Sequence, residues 1–187
     1  MTGCSVQVIP EGYQKFNKSL TVNSRSIRRF NQLRMYTNKP LFIDPTVTRE
    51  AFCSAFETIH TTSLIVCSDE IEDLVYERCT VLEADILPYE HAYIFIEGEE
   101  SWSNEQFLVL EKPTTFVIKG QLTIEDDVEE AILTEKISSI DLYGQIITAN
   151  ARAKGILQKA LRVKNGTIVT GKQHEGKFHK NVAHLVL

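Results

Sequence analysis

Apolar residues in this chain come in short bursts that recur at nearly fixed intervals. Phe116-Val117-Ile118-Lys119-Gly120-Gln121-Leu122 returns 24 residues later as Ile140-Asp141-Leu142-Tyr143-Gly144-Gln145-Ile146. The stretches behind the two copies also match, Ile132-Leu133 falling on Ile156-Leu157 and Ile137 on Leu161. An earlier pair, Leu41-Phe42-Ile43 and Leu64-Ile65-Val66, stands 23 apart, with Ala51-Phe52 on Leu74-Val75 and Phe56 on Cys79. A period in this range marks a unit that cannot bury its own apolar face and must stack on a neighbour.

Each unit has one grammar: a short β-branched or aliphatic run, a turn or cap, then a stretch with helical spacing of apolar residues. In one unit Asp44-Pro45-Thr46 marks the turn, and Phe52, Phe56 and Ile59 share a helical face. In the next, Ser68 caps a helix with Asp69 and Glu70 in its first turn and Leu74, Val75 and Cys79 on its face. Glu125-Asp126-Asp127 then opens a helix carrying Val128, Ile132 and Leu133, and Ala149-Asn150-Ala151 opens one carrying Ile156, Leu157 and Leu161. A looser copy at the start has Leu20-Thr21-Val22 as strand and Ile27, Phe30 and Leu33 on a helix.

Gly120, Gly144 and Gly166 each interrupt an apolar run, which predicts strands bent at a glycine that permits positive φ or close approach of stacked coils. Val163 to Val169 reads as the last such strand, with one inserted residue and a bulge at Lys164-Asn165. The interval 80–115 breaks the rule. Thr80-Val81-Leu82, Ile86-Leu87, Tyr93-Ile94-Phe95-Ile96 and Phe107-Leu108-Val109-Leu110 all read as strands with no helix among them, and 97–104 reads as a polar linker. One domain is expected, with repeats over 1–79, an irregular middle over 80–115, and repeats plus a terminal strand (182–187) over 116–187.

The chain has 187 residues, 43% apolar and 24% charged, ordinary values for a globular domain of this size. No apolar run reaches the roughly 18 residues of a membrane span, and no secretory signal is visible at the start. The expected location is the cytoplasm. The net charge of −5 is unevenly placed: +4 over 1–63, −15 over 64–139 and +6 over 140–187.

Side chains that could do chemistry are scattered. Cys4, Cys53, Cys67 and Cys79 fit no zinc or redox spacing and read as reduced, mostly buried thiols. His174, His179 and His184 stand five apart with no carboxylate or thiol at ligand spacing. Arg25, Arg28, Arg29 and Arg34 surround the first helical segment and suit a polar capping repeat better than nucleic acid. The acids at 97–100 and 125–127 lack the alternate ligands and glycine of a calcium loop. Cys67 with His60 or His91 as thiol nucleophile and base is a pairing that meeting across coils would allow, as it would for any two residues. No phosphate-binding glycine loop, G-x-S-x-G or H-E-x-x-H occurs.

A strand plus helix every 22–24 residues resembles the leucine-rich-repeat class of solenoid, with Leu64-Ile65-Val66-Cys67 and Leu20-Thr21-Val22-Asn23 keeping the core of its motif and no asparagine ladder. The segment from Gly120-Gln121-Leu122-Thr123-Ile124 to Val128 is similar to repeat units of uncharacterised bacterial proteins with an acidic helix start. The resemblance implies a binding surface rather than a reaction. The expected fold is therefore an α/β, right-handed solenoid of roughly seven or eight strand–turn–helix coils, one curved parallel sheet on one side and helices on the other. The expected function is a non-catalytic protein-binding or scaffold module with no cofactor or metal, no nucleic acid and no membrane among its partners. Val117, Lys119, Asp141 and Tyr143 alternate with the buried strand positions and are the expected contact face. Self-assembly through open sheet edges is the alternative, and an enzyme of unknown class a remoter one.

Overall fold

The computed structural model describes residues 8–171. Cys4, the histidines beyond 171 and the expected terminal strand lie outside the described residues. The chain divides into two compact α/β units, Met1–Tyr89 and Glu90–Leu187, each built on parallel sheets.

In the first unit the chain visits β1 (Gln14–Phe16), β2 (Leu20–Val22) and a 3-10 turn (Ser26–Arg29). The circuit is repeated as β3 (Leu33–Thr37), β4 (Leu41–Ile43) and α1 (Arg49–Ala55), then as β5 (Phe56–Thr61), β6 (Leu64–Ser68) and α2 (Glu72–Arg78). It closes on β7 (Asp85–Tyr89). The strands sort into two sheets, β1-β3-β5 and β2-β4-β6-β7, with every pair parallel. The core lies between them and the helices: Met35, Ile59, Leu41, Ile43, Ile65, Cys67, Phe52, Phe56 and Val75 are all buried in one cluster.

The second unit runs the same circuit. It comprises β8 (Ala92–Ile96), β9 (Glu99–Trp102), α3 (Asn104–Leu108), β10 (Thr114–Ile118), β11 (Gln121–Ile124), α4 (Glu130–Lys136), β12 (Ile137–Leu142), β13 (Gln145–Thr148), α5 (Ala151–Ala160), β14 (Leu161–Lys164) and β15 (Thr167–Thr170). Its sheets are β8-β10-β12-β14 and β9-β11-β13-β15. Phe116, Ile118, Leu122, Ile124, Leu133, Ile140, Leu142, Ile146 and Leu157 fill the space inside. Helices of five to ten residues are marginal alone, so packing and caps hold them. Thr48 accepts from the Ala51 amide, Asn150 from the Arg152 amide, and the Gln106 side chain reaches back to the Ser103 amide at 2.9 Å.

Several expectations are corrected. Each winding holds two strands, not one bent strand: the glycines mark turns where the chain leaves one sheet for another, so each unit has two sheets. Gly120, Gly144 and Gly166 have no positive φ. They are required by close approach. A Cβ on Gly144 or Gly166 would lie under 3.0 Å from the carbonyl oxygen of the glycine one winding earlier, and on Gly120 from that of Gly98.

The middle is not helix-free. Phe107 and Leu108 lie on α3, because Ser103 and Gln106 form a capping box, and Glu99–Trp102 of the supposed linker is β9. Thr80-Val81-Leu82 is no strand; only Cys79 bridges to Ile59 there, and Leu82 is fully exposed. Ile27 sits on a four-residue 3-10 turn that ends where Phe30 goes extended, and after Gln32 at φ 48° the chain enters a strand at Leu33. Phe56, Ile59, Ile137 and Leu161 likewise lie on strands that begin where the helices stop. The acids Glu125-Asp126-Asp127 precede α4, which starts at Glu130. The expected bulge lies earlier than Lys164-Asn165: Ile140 pairs with Leu161 and Asp141 with Val163, so Arg162 is the extra residue.

The glycine contacts set a direct stability test. Gly144→Ala forces its methyl into the Gly120 carbonyl and is expected to cost about 3 kcal/mol in urea unfolding. Gly98→Ala, with nothing within 4 Å of its Cβ position, is expected to stay within about 0.5 kcal/mol of the parent. Equal effects at the two positions contradict this packing.

Candidate interaction surface

The corner between the two sheets of the second unit presents one residue per winding: Glu97, Lys119, Tyr143 and Asn165. Their backbones are fixed by a shared pattern. The Ile96 carbonyl accepts from the amides of Lys119 and Gly120 (2.8 and 3.0 Å), and the Ile118 carbonyl from those of Tyr143 and Gly144 (2.8 and 3.0 Å). Lys119 is exposed and Tyr143 half-buried. This is where the structure places two of the four expected contact residues.

The other two stand one step back on the outer face of β8-β10-β12-β14, in the register row Phe95, Val117, Asp141, Val163. They point away from the core cluster, as alternation requires, yet both are 0% exposed. Neither can serve as a contact residue in this fold. Alternation tells which face of a sheet a side chain occupies, not whether water reaches that face. Parallel sheets are commonly covered on both sides. The unbroken burial of Thr114–Ile118 carries that signature, and the apolar run in the sequence was its readable sign.

Asp141 is held by Arg162, whose Nε donates to Oδ1 at 2.8 Å while Nη2 contacts Oδ2. Arg162 reaches it because the bulge turns this extra residue toward the preceding strand. The same device recurs. Glu57, extra against Arg34, receives two hydrogen bonds from it at 2.9 and 2.7 Å, and Ser138, extra against Thr115, lies 3.2 Å from its hydroxyl. A polar residue just after α1, α4 and α5, matched by a complementary one 21–23 positions earlier, is the sequence sign of these contacts.

Acids at helix starts also act between windings. The Asp127 carboxylate accepts from the Asn104 amide at the start of α3, while the Asn104 side chain accepts from the Glu129 amide. Glu125 accepts from the Ser101 hydroxyl at 2.9 Å. In the first unit Arg49 grips Asp73 with two bonds of 2.7 Å and also donates to the Glu70 carbonyl. That guanidinium holds the Asp73 carboxyl well down, at about 2 instead of 3.8.

The thiol–base pairing is not formed with His60. Cys67 lies in the core from β6, whereas His60 faces outward from β5, stacked on Tyr36 at 5.0 Å with Nδ1 3.1 Å from the Thr80 hydroxyl. Between α4 and α5 runs a groove of about 300 Å³ lined by Leu133, Ile137, Ile156, Leu157 and Ala160, with Lys159 at its side. Among the described residues no three His, Cys, Asp or Glu side chains converge as metal ligands. No helix there is long and apolar enough to cross a membrane.

The outer face of β9-β11-β13-β15 is different. Two register rows cross it, Glu99–Gln121–Gln145–Thr167 and Ser101–Thr123–Ile147–Val169, and every member is exposed or half-exposed. No protein-family model, no curated protein and no solved structure matches this chain.

Removing Arg162 strands a buried carboxylate, so Arg162→Ala is expected to cost about 3 kcal/mol, with much of the loss recovered in the Arg162→Ala/Asp141→Val pair. A double variant no more stable than the single one contradicts this. Asp73, with its carboxyl depressed in the fold, contributes stability above its unfolded value that is lost as pH falls toward 2. In Arg49→Ala its titration, followed by carboxyl NMR shifts, is expected to move up from about 2 toward 3.8.

Proposed function

We propose that this chain is a non-catalytic binding module, a leucine-rich-repeat-like solenoid in each unit with two strands per winding, acting in the cytoplasm on a protein partner. The observation that carries the reading is the pair of register rows on the outer face of β9-β11-β13-β15. They form a regular, accessible surface on rigid strands, polar at Glu99, Gln121, Gln145, Thr167, Ser101 and Thr123 and apolar at Ile147 and Val169. Main-chain rigidity lowers the ordering cost of binding, and mixed amide and hydroxyl groups suit a protein surface more than a reaction centre. The charged groups brought together between windings, Arg34 with Glu57, Arg49 with Asp73 and Asp141 with Arg162, pair with one another, which suits structure rather than catalysis. Cys53, Cys67 and Cys79, none of them in a disulfide, suit a reducing compartment. Lys119 and Tyr143 extend this face at the corner; Val117 and Asp141 do not belong to it.

Gln145→Arg and Thr123→Arg place bulky charge on the face without touching the core. Each is expected to abolish capture of the partner from native lysate while leaving thermal unfolding within about 0.5 kcal/mol of the parent. Lys119→Ala and Tyr143→Ala weaken the same capture. Retention of the captured protein by both arginine variants would mean the face is elsewhere.

A further inference from the structure

Residues 12–43 contain seven Lys and Arg and not one Asp or Glu. In the fold this stretch is the whole first winding of the first unit and both strands of its second winding. Arg34 is answered by Glu57 in the next winding. Lys15, Lys18, Arg25, Arg28 and Arg29 are exposed, and among the described residues none forms an ion pair. The arginine-bearing turn is held in shape. Asn23 Oδ1 accepts from the Arg25 and Ser26 amides, the Ser24 amide donates to Thr46, and the Gln32 side chain donates to the Cys53 and Ser54 carbonyls at the end of α1.

Cations beside an edge strand can serve simply to keep that edge from pairing. Lys15 on β1 and Lys18 beside β2 fit that role. Arg28 and Arg29 lie on the 3-10 turn and Arg25 at its start, none of them on a strand, so edge protection does not call for them. Guanidinium groups are suited to paired oxygens of carboxylates, and Arg34–Glu57 and Arg49–Asp73 show that chemistry between successive windings.

The complementary surface is on the same chain. Residues 90–136 hold twelve Asp and Glu against three Lys and Arg. Glu97, Glu99, Glu105, Asp126 and Glu129 are exposed, and among the described residues none has an ion pair. A net charge of −5 and this acidic excess disfavour a long polyanion as partner. We propose that the acid-free first winding of one copy docks on the acidic windings, β9 to α4, of a second copy. The two surfaces differ, so the contact is heterologous, and each copy keeps one unused half through which the assembly grows. Carboxylate–guanidinium pairs at the surface make it salt-sensitive. The inference does not depend on the sheet-face reading above.

Sedimentation velocity of the full chain at about 0.05 M and about 0.5 M salt tests it. At low salt the sedimentation coefficient rises with concentration, and at high salt it stays at the monomer value. R25Q/R28Q/R29Q and E99Q/D126N/E129Q are each monomeric at both salts, with unchanged far-UV circular dichroism. Mixed in equal amounts they form a one-to-one pair and nothing larger, because each retains a different half. A parent chain monomeric at low salt overturns the proposal, as does association of either variant at the parent level. Binding of a single-stranded oligouridine by the monomeric parent, lost in the arginine variant, overturns it in favour of nucleic acid.

Discussion

The second unit depends on how closely its windings approach at the corner between the two sheets. At Gly120, Gly144 and Gly166 the backbone meets the preceding glycine carbonyl so tightly that no side chain fits. That approach lets the hydrogen-bond ladder continue around the bend. The amides of Gln121, Gln145 and Thr167 donate to the carbonyls of Gly98, Gly120 and Gly144 at 2.8, 2.9 and 3.0 Å. Both sheets therefore share one register. The period is strict here and loose elsewhere, for α3, α4 and α5 differ in length while the corner returns each time to the same place.

The first unit turns the same corner differently. No glycine stands at its bends. Thr37 Oγ1 donates to the Phe16 carbonyl at 3.1 Å and accepts from the Lys39 amide at 3.0 Å, and Thr61 Oγ1 accepts from the Ser63 amide at 3.0 Å. Both threonines are buried, and their hydroxyls satisfy backbone groups that the bend would leave unpaired. A hydroxyl thus meets in one unit the demand that contact between glycines meets in the other.

These differences explain what could be read beforehand. The echo of Gly120 in Gly144 was legible because packing admits only glycine there. The strands around it, the cap at Asn150 and the buried faces of Leu133 and Leu157 followed from the same periodicity. Two strands per winding were not legible, because a bend at glycine and a turn into a second sheet share one pattern of apolar residues. Phe107-Leu108 was too short a run to separate helix from strand by period, and its capping box decided the outcome. Asp141 was misplaced as a contact residue because its partner, Arg162, comes into reach only through a bulge. Lys119 and Tyr143 came out at the corner because turn residues must lie between the sheets, whatever covers the sheet faces.

Charge follows the same layered logic, since any residue repeats its environment one winding later. Arg34 with Glu57, Arg49 with Asp73 and Asp141 with Arg162 are bonds between windings, and the acid-free first winding has no such earlier neighbour among the described residues. The central claim is that the corner is a continuous hydrogen-bonded column. Amide hydrogen exchange measures it residue by residue. The account predicts that Tyr143, Gly144, Gln145 and Thr167 exchange as slowly as the strand amides of Phe116 and Ile140. Exchange at those four amides as fast as in the exposed turn at 111–112 contradicts it.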